Sequence, residues 1–221
     1  MMGRDLLERI KAYGKRARGK EISCGLDVCP RCGVRHGGFK WHGLRKRLFL
    51  VFADWVIQRV WSYLTRWKCP LCRRTFTLYS DFALPFKRYV LAFIGERGAA
   101  YVEDEARTYR EGTQAEGMAI SYEEADSGTQ LWPSTLWRWV STLGHFPETV
   151  RQALLLLKQK DPSSGVFRAL GALRIRPGKY RSEKRKGVLR RCGELALADR
   201  AYTPLFQASI FPELATRCGF R

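Results

Sequence analysis

Two Cys-Pro-x-Cys pairs constrain this chain more than any other feature of its sequence. Cys29 and Cys32 form the first pair, and 36 residues that we predict to be strands separate it from Cys69 and Cys72. Each pair makes a tight turn that directs two thiolates at one point, and two such turns complete a tetrahedral zinc shell. No coordination position is left for water, so we predict a structural Zn²⁺ without chemistry of its own.

The remaining cysteines and histidines are weaker ligand candidates. Cys24 precedes the first pair by five residues, and His36 and His42 follow it. Each of the three is able to replace a cysteine, but four cysteines already satisfy the metal, so we interpret Cys24 as a small buried side chain and the histidines as surface or phosphate-facing groups. We predict that Cys192 and Cys218 pack in the core. Free buried thiols are the alternative interpretation of the four paired cysteines.

The charge of the chain indicates a polyanionic partner. Lys and Arg number 40 against 21 Asp and Glu, which gives a formal net charge of +19. Nucleic acid is the first candidate. The longest apolar run, residues 48–57, is too short to cross a bilayer, and residues 1–20 lack the apolar core of a secretory signal. We therefore expect no membrane partner, and we expect the protein to be cytoplasmic and nucleoid-associated. The cytoplasm is reducing, which favours metal binding by cysteines over disulfides.

The charge is unevenly distributed along the chain. Residues 1–20 carry seven basic and two acidic side chains, and residues 31–50 carry six basic and no acidic ones. Residues 96–126 reverse the sign, with nine acidic side chains against three arginines, and residues 173–191 are basic again. We expect the acidic segment to face away from a nucleic acid.

Hydrophobic periodicity predicts an α+β fold. Residues 56–68 alternate as a strand, with residues 73–79 as its hairpin partner. Residues 85–112 show helical spacing for one or two helices, and residues 113–131 are predicted to be a polar loop. Further helices are predicted over residues 133–143, 149–160 and 186–201.

These elements divide the chain into four parts. A basic N-terminal segment, residues 1–20, precedes a small β zinc ribbon, residues 21–84. A helical domain with a helix-turn-helix-like unit, residues 85–145, follows the ribbon. Residues 146–221 form a C-terminal helical region with a basic loop. The predicted fold is thus a small N-terminal ribbon followed by a mainly helical domain.

Basic side chains alternate with aromatic ones on and beside the predicted ribbon. Basic groups neutralise phosphates and release counterions, and exposed aromatic rings can stack on bases. For the aromatic residues, packing inside a small domain is the favoured alternative. The predicted phosphate contacts are Arg45, Lys46, Arg47, Arg73 and Arg74, and the interleaved aromatic residues are Phe39, Trp41, Trp61 and Trp67.

The helix predicted over residues 133–143 has a polar face. Small hydroxyl side chains and an arginine near the N-terminus of a recognition helix suit contacts to base edges. Any amphipathic helix also has a polar face, so a purely structural helix is the alternative. The polar residues are Ser134, Thr135, Arg138, Ser141 and Thr142.

The segments CPRCG, RWKCPLCRRTFTL, DFALPFKRYV, TYREG and PSTLWRWVSTLG resemble the zinc-ribbon plus helix-turn-helix proteins associated with bacterial insertion-sequence transposases. The resemblance covers about residues 24–145 and implies that the four paired cysteines are the metal ligands of the ribbon. It also implies that Ser134, Thr135 and Arg138 are at the recognition-helix positions and are the predicted DNA contacts. It implies duplex DNA binding in transposition or its regulation, with a separate transposase or other mobile-element protein as a further partner. The chain departs from the family pattern in one spacing: the expected scaffold helix near Tyr109 precedes the recognition helix by about twenty residues, where a standard turn has three or four.

Catalysis is not expected from this chain. Transposases of this broad kind cut DNA with three carboxylates that hold two metal ions on a separate domain. After residue 145 fewer than 80 residues remain, and no buried-strand pattern precedes their acidic side chains. We therefore predict no enzymatic activity and no catalytic residue. The alternatives are an RNA-binding zinc-ribbon module, a transcriptional regulator unrelated to transposition, and an enzyme whose active site the pattern does not reveal.

Overall fold

The computed structural model describes residues 2–115, 118–123, 131–175, 182–208 and 210. Over these residues the chain combines a mainly antiparallel sheet with six helices, which confirms the predicted α+β class. Two compact units are present. The sheet unit contains residues 2–91 and 121–123, and the helical unit contains the remaining described residues from 92 to 210.

A long antiparallel hairpin forms the centre of the sheet unit. Strand β1 (Lys40–Ala53) pairs with β2 (Val56–Lys68), and one bulge interrupts the ladder near the start of β1. Asp54 and Trp55 make the turn, and both have positive φ, 52° and 68°. This is the backbone sign of a two-residue type I′ turn, whose twist matches that of the strands it joins.

Shorter segments extend the hairpin into a sheet. Strand β3 (Thr75–Leu78) pairs with the end of β2, and the predicted strand and its hairpin partner are thereby confirmed. On the far side of the hairpin, Leu50 N donates to Arg88 O at 2.9 Å and Val90 N donates to Leu50 O at 3.2 Å. These bonds hold the segment after β3 along the outer edge of β1.

Helix α1 (Met2–Arg18) packs against the hairpin. Gly14 lies close to β2, since a Cβ there would come within 2.5 Å of Ser62 Oγ. Ser62 Oγ in turn donates to Ile10 O at 2.9 Å. The apolar stripe of α1 has helical spacing and is buried, and it consists of Leu7, Ile10 and Ala17. The charge of residues 1–20 concealed this stripe from the sequence interpretation, although its period was the available signal.

The helical unit is built around its last helix, which the other helices of the unit contact. A 3₁₀ turn (Glu111–Thr113) and three two-residue strands lie between α2 and α3 in the sequence. No helix in the described part of the chain is long and apolar enough to span a membrane. The helices are α2 (Leu91–Glu103), α3 (Pro133–Leu143), α4 (Pro147–Lys160), α5 (Gly165–Ala172) and α6 (Glu183–Phe206). The strands are β4 (Gln114–Ala115), β5 (Met118–Ala119) and β6 (Ser121–Tyr122).

Helical periodicity located most of these helices. Helix α3 has the predicted bounds, with Pro133 in its first turn, where a missing N–H leaves no bond unmade. Helix α4 begins two residues before the predicted start, and α6 extends the prediction at both ends. Helix α5 was missed because eight residues give only about two turns of pattern.

Two local predictions differ from the structure. Residues 113–131, expected to be a loop, include β4 and β5, which pair with each other, and β6, which pairs in parallel with the start of β2. Two-residue strands are too short to show periodicity. Tyr109, where a scaffold helix was expected, lies in a turn beyond the end of α2. Residues 116–117, 124–130 and 176–181, which include parts of the predicted polar and basic loops, lie outside the described residues.

Candidate metal centre and its basic surroundings

The four cysteines predicted as ligands come together in the sheet unit. Their Sγ atoms all lie within 4.8 Å of one another, and Cys29 Sγ is 3.9 Å from Cys72 Sγ. A regular tetrahedron with a metal–sulfur distance of about 2.3 Å has sulfur atoms about 3.8 Å apart. The cluster is therefore able to hold a metal ion, and its donor set and spacing fit a tetrahedral thiolate site.

The two cysteine turns have matching backbones. In each, the N–H of the first cysteine donates at 3.0 Å to the carbonyl five residues later, that of Val34 or Arg74. The residue after the second cysteine has positive φ in both, 73° at Gly33 and 58° at Arg73. Glycine adopts this conformation freely, whereas a residue with a Cβ is strained there by about 1 kcal/mol. Arg73 therefore occupies a position whose positive φ favours glycine.

His36 packs against the sulfur cluster. Its Nε2 atom is 3.2 Å from Cys69 Sγ, and Gly38 N donates to Nδ1 at 3.3 Å. Because Nδ1 accepts a hydrogen bond, the hydrogen-bond network puts the imidazole proton on Nε2, from which it is donated to the sulfur. His36 thus points inward, toward a ligand, and not toward solvent or phosphate as its sequence context had indicated.

Hydrogen bonding makes the two buried cysteines electrostatically different. Burial opposes ionisation of Cys69, but hydrogen bonds from Cys72 N–H, from His36 and from Leu71 N–H outweigh it and lower the pKa of Cys69 to about 6. Burial raises the pKa of Cys29. In the metal-free protein Cys69 is therefore the first of these two to ionise, and a metal ion must displace the proton of Cys29.

Aromatic side chains form a small core around the cysteines. Phe39, Trp67 and Phe76 are buried with Cys29 and Cys69, and the Phe39 and Phe76 rings meet edge to face with centroids 5.1 Å apart. Trp41 packs on Trp67 with a centroid distance of 5.4 Å. Three of the four aromatic residues interleaved with the basic ones thus have a packing role. Trp61 is the exception, because 55% of it is exposed.

The other weak ligand candidates lie outside the sulfur cluster. Cys24 is half-buried and packs against the aromatic core, and His42 is exposed. Cys192 is buried in α6, and burial raises its pKa to about 12, as expected for a thiol that packs a core. Cys218 lies outside the described residues.

Basic side chains surround the cysteine turns. Lys40 and Lys68 stand directly opposite each other in the β1–β2 register, and Arg73 and Arg74 are exposed in the second turn. In the part of the chain that the structure describes, none of these four forms an ion pair. Like charges opposite each other in a ladder are destabilising. We call Lys40, Lys68, Arg73 and Arg74 the cationic end of the hairpin.

The basic residues in the middle of β1 have different surroundings. Arg45 and Lys46 are exposed. Arg47 donates to Leu84 O at 2.8 Å and also to Lys87 O, and burial lowers the pKa of its guanidinium. Arg47 therefore binds the protein's own backbone and holds the segment after β3 against the hairpin, a role that only tertiary contacts reveal.

The polar face of α3 is partly available. Ser134 and Arg138 are exposed and Thr135 is half-buried. Residues 144–146 connect α3 to α4, and three residues is the length of a helix-turn-helix connection. This short connection follows α3, whereas the sequence interpretation placed the turn before it.

The C-terminal part of the polar face of α3 is occupied by intramolecular bonds. Ser141 Oγ donates to Trp137 O at 2.7 Å and accepts from Arg185 Nη1 at 2.6 Å. Arg185 also donates to Tyr109 OH at 2.6 Å, and its Cζ lies 4.8 Å from the centroid of the Trp137 ring. Arg185 therefore joins α6 to α3 and to the turn after α2. Its place in a basic run gave no sign of this role.

Comparisons with known protein families, with curated proteins and with solved structures give no match. The resemblance to zinc-ribbon proteins of insertion sequences therefore stays a prediction, and the cysteine cluster and the cationic end are interpreted from their own geometry.

Proposed function

We propose that this chain is a DNA-binding protein in which a structural zinc ion, held by Cys29, Cys32, Cys69 and Cys72, fixes a basic β ribbon against duplex DNA. The observation that carries the proposal is the cationic end. Lys40 faces Lys68 across the ladder, and no carboxylate among the described residues pairs with either. A polyanion removes this repulsion and gains by counterion release.

Arg73 adds a second line of support. Its backbone conformation favours glycine, the residue that the first cysteine turn has at the equivalent position. Strained positions of this kind persist where the surrounding structure enforces them, often at functional sites. A contact between the Arg73 guanidinium and a phosphate would explain why arginine stands at this strained position, because arginine binds phosphate with two parallel donors.

The metal has a mechanical task in this proposal. Of the two cysteine turns, the second carries Arg73 and Arg74 and directly follows Lys68, whose ladder partner is Lys40. Closing four thiolates around one ion fixes these turns relative to each other, and with them the spacing of the four charges. Zinc supplies this cross-link when bound, and the basic residues make the contacts.

Sequence discrimination is assigned to α3. Ser134 and Arg138 are exposed in its first two turns, with Thr135 beside them. A role in transposition or its regulation, with a separate transposase or another mobile-element protein as a partner, follows from the resemblance alone. No catalytic step belongs to the proposal.

Selection of duplexes from a random pool by the zinc-loaded protein tests this function. Enrichment of one motif is expected, and Arg138→Ala is expected to reduce the preference for that motif over random duplex. Arg74→Ala is the matched comparison, since loss of a phosphate contact weakens all duplexes alike and lowers the salt slope by about 0.9. Absence of duplex binding at low salt would contradict the proposal.

A further inference from the structure

One exposed aromatic ring lies on the sheet, away from the cysteine core. Trp61 is 55% exposed, whereas Trp67 on the same strand is only 8% exposed. Strand alternation places Trp61 and Tyr63 on one face of β2. Lys46 is the direct partner of Tyr63 in the β1–β2 register, so it belongs to the same face. The face thus has two aromatic rings and a cation in adjacent positions.

Both rings on this face are in contact with cations. Lys46 Nζ lies 4.8 Å from the centroid of the Trp61 ring, and Arg18 Cζ lies 5.6 Å from the centroid of the Tyr63 ring. Neither Arg18 nor Lys46 forms an ion pair with a carboxylate in the described ranges. We call Arg18, Lys46, Trp61 and Tyr63 the Trp61 face.

We propose that the Trp61 face binds single-stranded DNA, with an unpaired base stacked on the Trp61 indole and the neighbouring phosphates neutralised by Lys46 and Arg18. The proposal rests on the proposed function and specifies a second form of its nucleic-acid partner. In a duplex the faces of the bases are covered by their neighbours, so a ring on a sheet reaches a base face only where the strand is unpaired.

The cation contacts prepare the surface for this ligand. In the free protein the Lys46 ammonium lies over the Trp61 ring and limits its orientations. An exposed cation–π contact is weaker than the stacking of a base on an aromatic ring, so a base is able to displace the ammonium. The displaced ammonium then neutralises a phosphate of the same strand, and no charge is left without a partner.

The Trp61 face and the cationic end are on the same strand. Lys68 lies seven positions after Trp61 in β2, which at about 3.3 Å per position is roughly 23 Å. The cationic end carries no exposed ring of this kind, because Trp41 and Trp67 pack on each other there. The two surfaces are therefore expected to have separable ligands, duplex phosphates at one and unpaired bases at the other.

Trp55 provides a matched control within the same hairpin. It is 59% exposed, slightly more than Trp61, but it is in the turn next to Asp54. Arg4 Nε lies 2.7 Å from Asp54 Oδ2 at this turn, so that cation is already paired. An exposed indole beside a paired cation tests whether exposure alone is enough for binding.

The experiment measures fluorescence anisotropy with the zinc-loaded full chain and three labelled probes of twenty nucleotides or base pairs: oligo(dT), a DNA duplex and oligo(rU). Trp61→Ala is expected to weaken oligo(dT) binding by about 5-fold to 100-fold, the effect of losing one stacked base. It is expected to change duplex affinity by less than about twofold, because the stacking surface does not contact paired bases. Trp55→Ala is expected to leave both affinities unchanged, and Trp61→Phe to restore part of the loss.

The possible outcomes separate this inference from the proposed function. If the wild-type protein does not bind the duplex, the proposed function fails, whether or not it binds oligo(dT). If it binds the duplex and Trp61→Ala affects oligo(dT) no more than Trp55→Ala does, only the inference fails. A Trp61-dependent preference for oligo(rU) over oligo(dT) would overturn the assignment to DNA and identify RNA as the ligand. Zinc content and far-ultraviolet circular dichroism of each variant verify that it is folded.

Discussion

The sheet unit and the helical unit differ in how their charges are balanced. Residues 1–91 contain 20 Lys and Arg against six Asp and Glu, whereas residues 92–221 contain 20 against 15. In the helical unit several arginines pair with carboxylates: Arg151 with Glu148, Arg190 with Glu194, and Arg200 with Glu103. The cationic end has no such pair among the described residues. Most of the excess positive charge thus belongs to the unit that carries the cysteines.

The helical unit and the cysteine end of the sheet unit also differ in the size of their apolar cores. The helical unit buries large apolar side chains between its helices, among them Leu136, Trp139, Leu189 and Leu195. Around the cysteines the core is small, with Phe39, Trp67 and Phe76 as its main buried rings. Small modules of this kind depend on a metal for their folding. We therefore expect the helical unit to be stabilised by its own contacts, and the cysteine end to depend on the metal ion that its four thiolates are able to hold.

Loss of one predicted zinc ligand should have the largest effect, and it should affect the cysteine end much more than the helical unit. Cys69→Ser removes one of the four predicted zinc ligands. In zinc-finger peptides, a structural zinc site contributes about 10–16 kcal/mol of apparent binding free energy. We expect loss of zinc, loss of DNA binding and local unfolding of the cysteine end, with most of the helical circular dichroism retained. Cys192→Ser, which changes a buried cysteine of the helical unit, is the control. Retention of a full equivalent of zinc by Cys69→Ser would contradict the ligand assignment.

Loss of Arg185 should have the opposite pattern. Arg185→Ala removes hydrogen bonds to Ser141 and Tyr109 and the contact with the Trp137 ring. Hydrogen bonds to charged groups contribute about 1.5–3 kcal/mol, so we expect the free energy of unfolding of the helical unit to fall by about 2 kcal/mol. Urea denaturation followed at 222 nm measures this change. Zinc content should not change, and a loss of zinc in this variant would show that the two units are not independent.

We expect His36 to affect metal affinity without being a ligand. His36→Ala removes the hydrogen bond to Cys69 Sγ, and loss of a group that orients a ligand weakens metal binding about 10-fold to 100-fold. Competition with a chromophoric zinc chelator measures the affinity. His36→Gln, whose amide is able to donate to the same sulfur, should recover part of the loss. Equal affinity of wild type and His36→Ala would remove His36 from the site.

Arg73→Gly should produce the smallest effect, and it should raise stability while it lowers duplex affinity. Glycine relieves the positive φ at this position, so we expect stability of the cysteine end to rise by about 1 kcal/mol. Duplex affinity should fall, and the slope of its logarithm against that of salt concentration should decrease by about 0.9 for one lost phosphate contact. Thermal unfolding and salt-dependent anisotropy measure the two changes. A variant that is more stable and binds equally well would show that Arg73 does not contact phosphate.

The features that the sequence predicted are those determined by short-range geometry. A Cys-x-x-Cys pair makes its turn within a few residues, so the spacing alone indicated two converging turns, and all four Sγ atoms do converge. Helix α3 was predicted with its observed bounds because Pro133 starts it and four apolar side chains follow at helical spacing. The hairpin partner of β2 followed from alternation in the same way.

The features that were missed depend on contacts between distant parts of the chain. Arg47 and Lys46 are neighbours in one basic run, but only Arg47 meets the carbonyls of Leu84 and Lys87. Trp61 and Trp67 share one strand and one face, and the difference in their exposure arises because the cysteine core covers Trp67. His36 is directed inward by a bond from Gly38 N. Neither charge nor periodicity contains this information.

The central claim, that zinc at the four cysteines holds the cationic end in a DNA-binding arrangement, is tested most directly by titrating zinc into the metal-free chain while following duplex binding. The account predicts saturation at one zinc per chain and a duplex affinity that rises in proportion to zinc occupancy, with little change in helical circular dichroism. Undiminished duplex binding by the metal-free chain would contradict it.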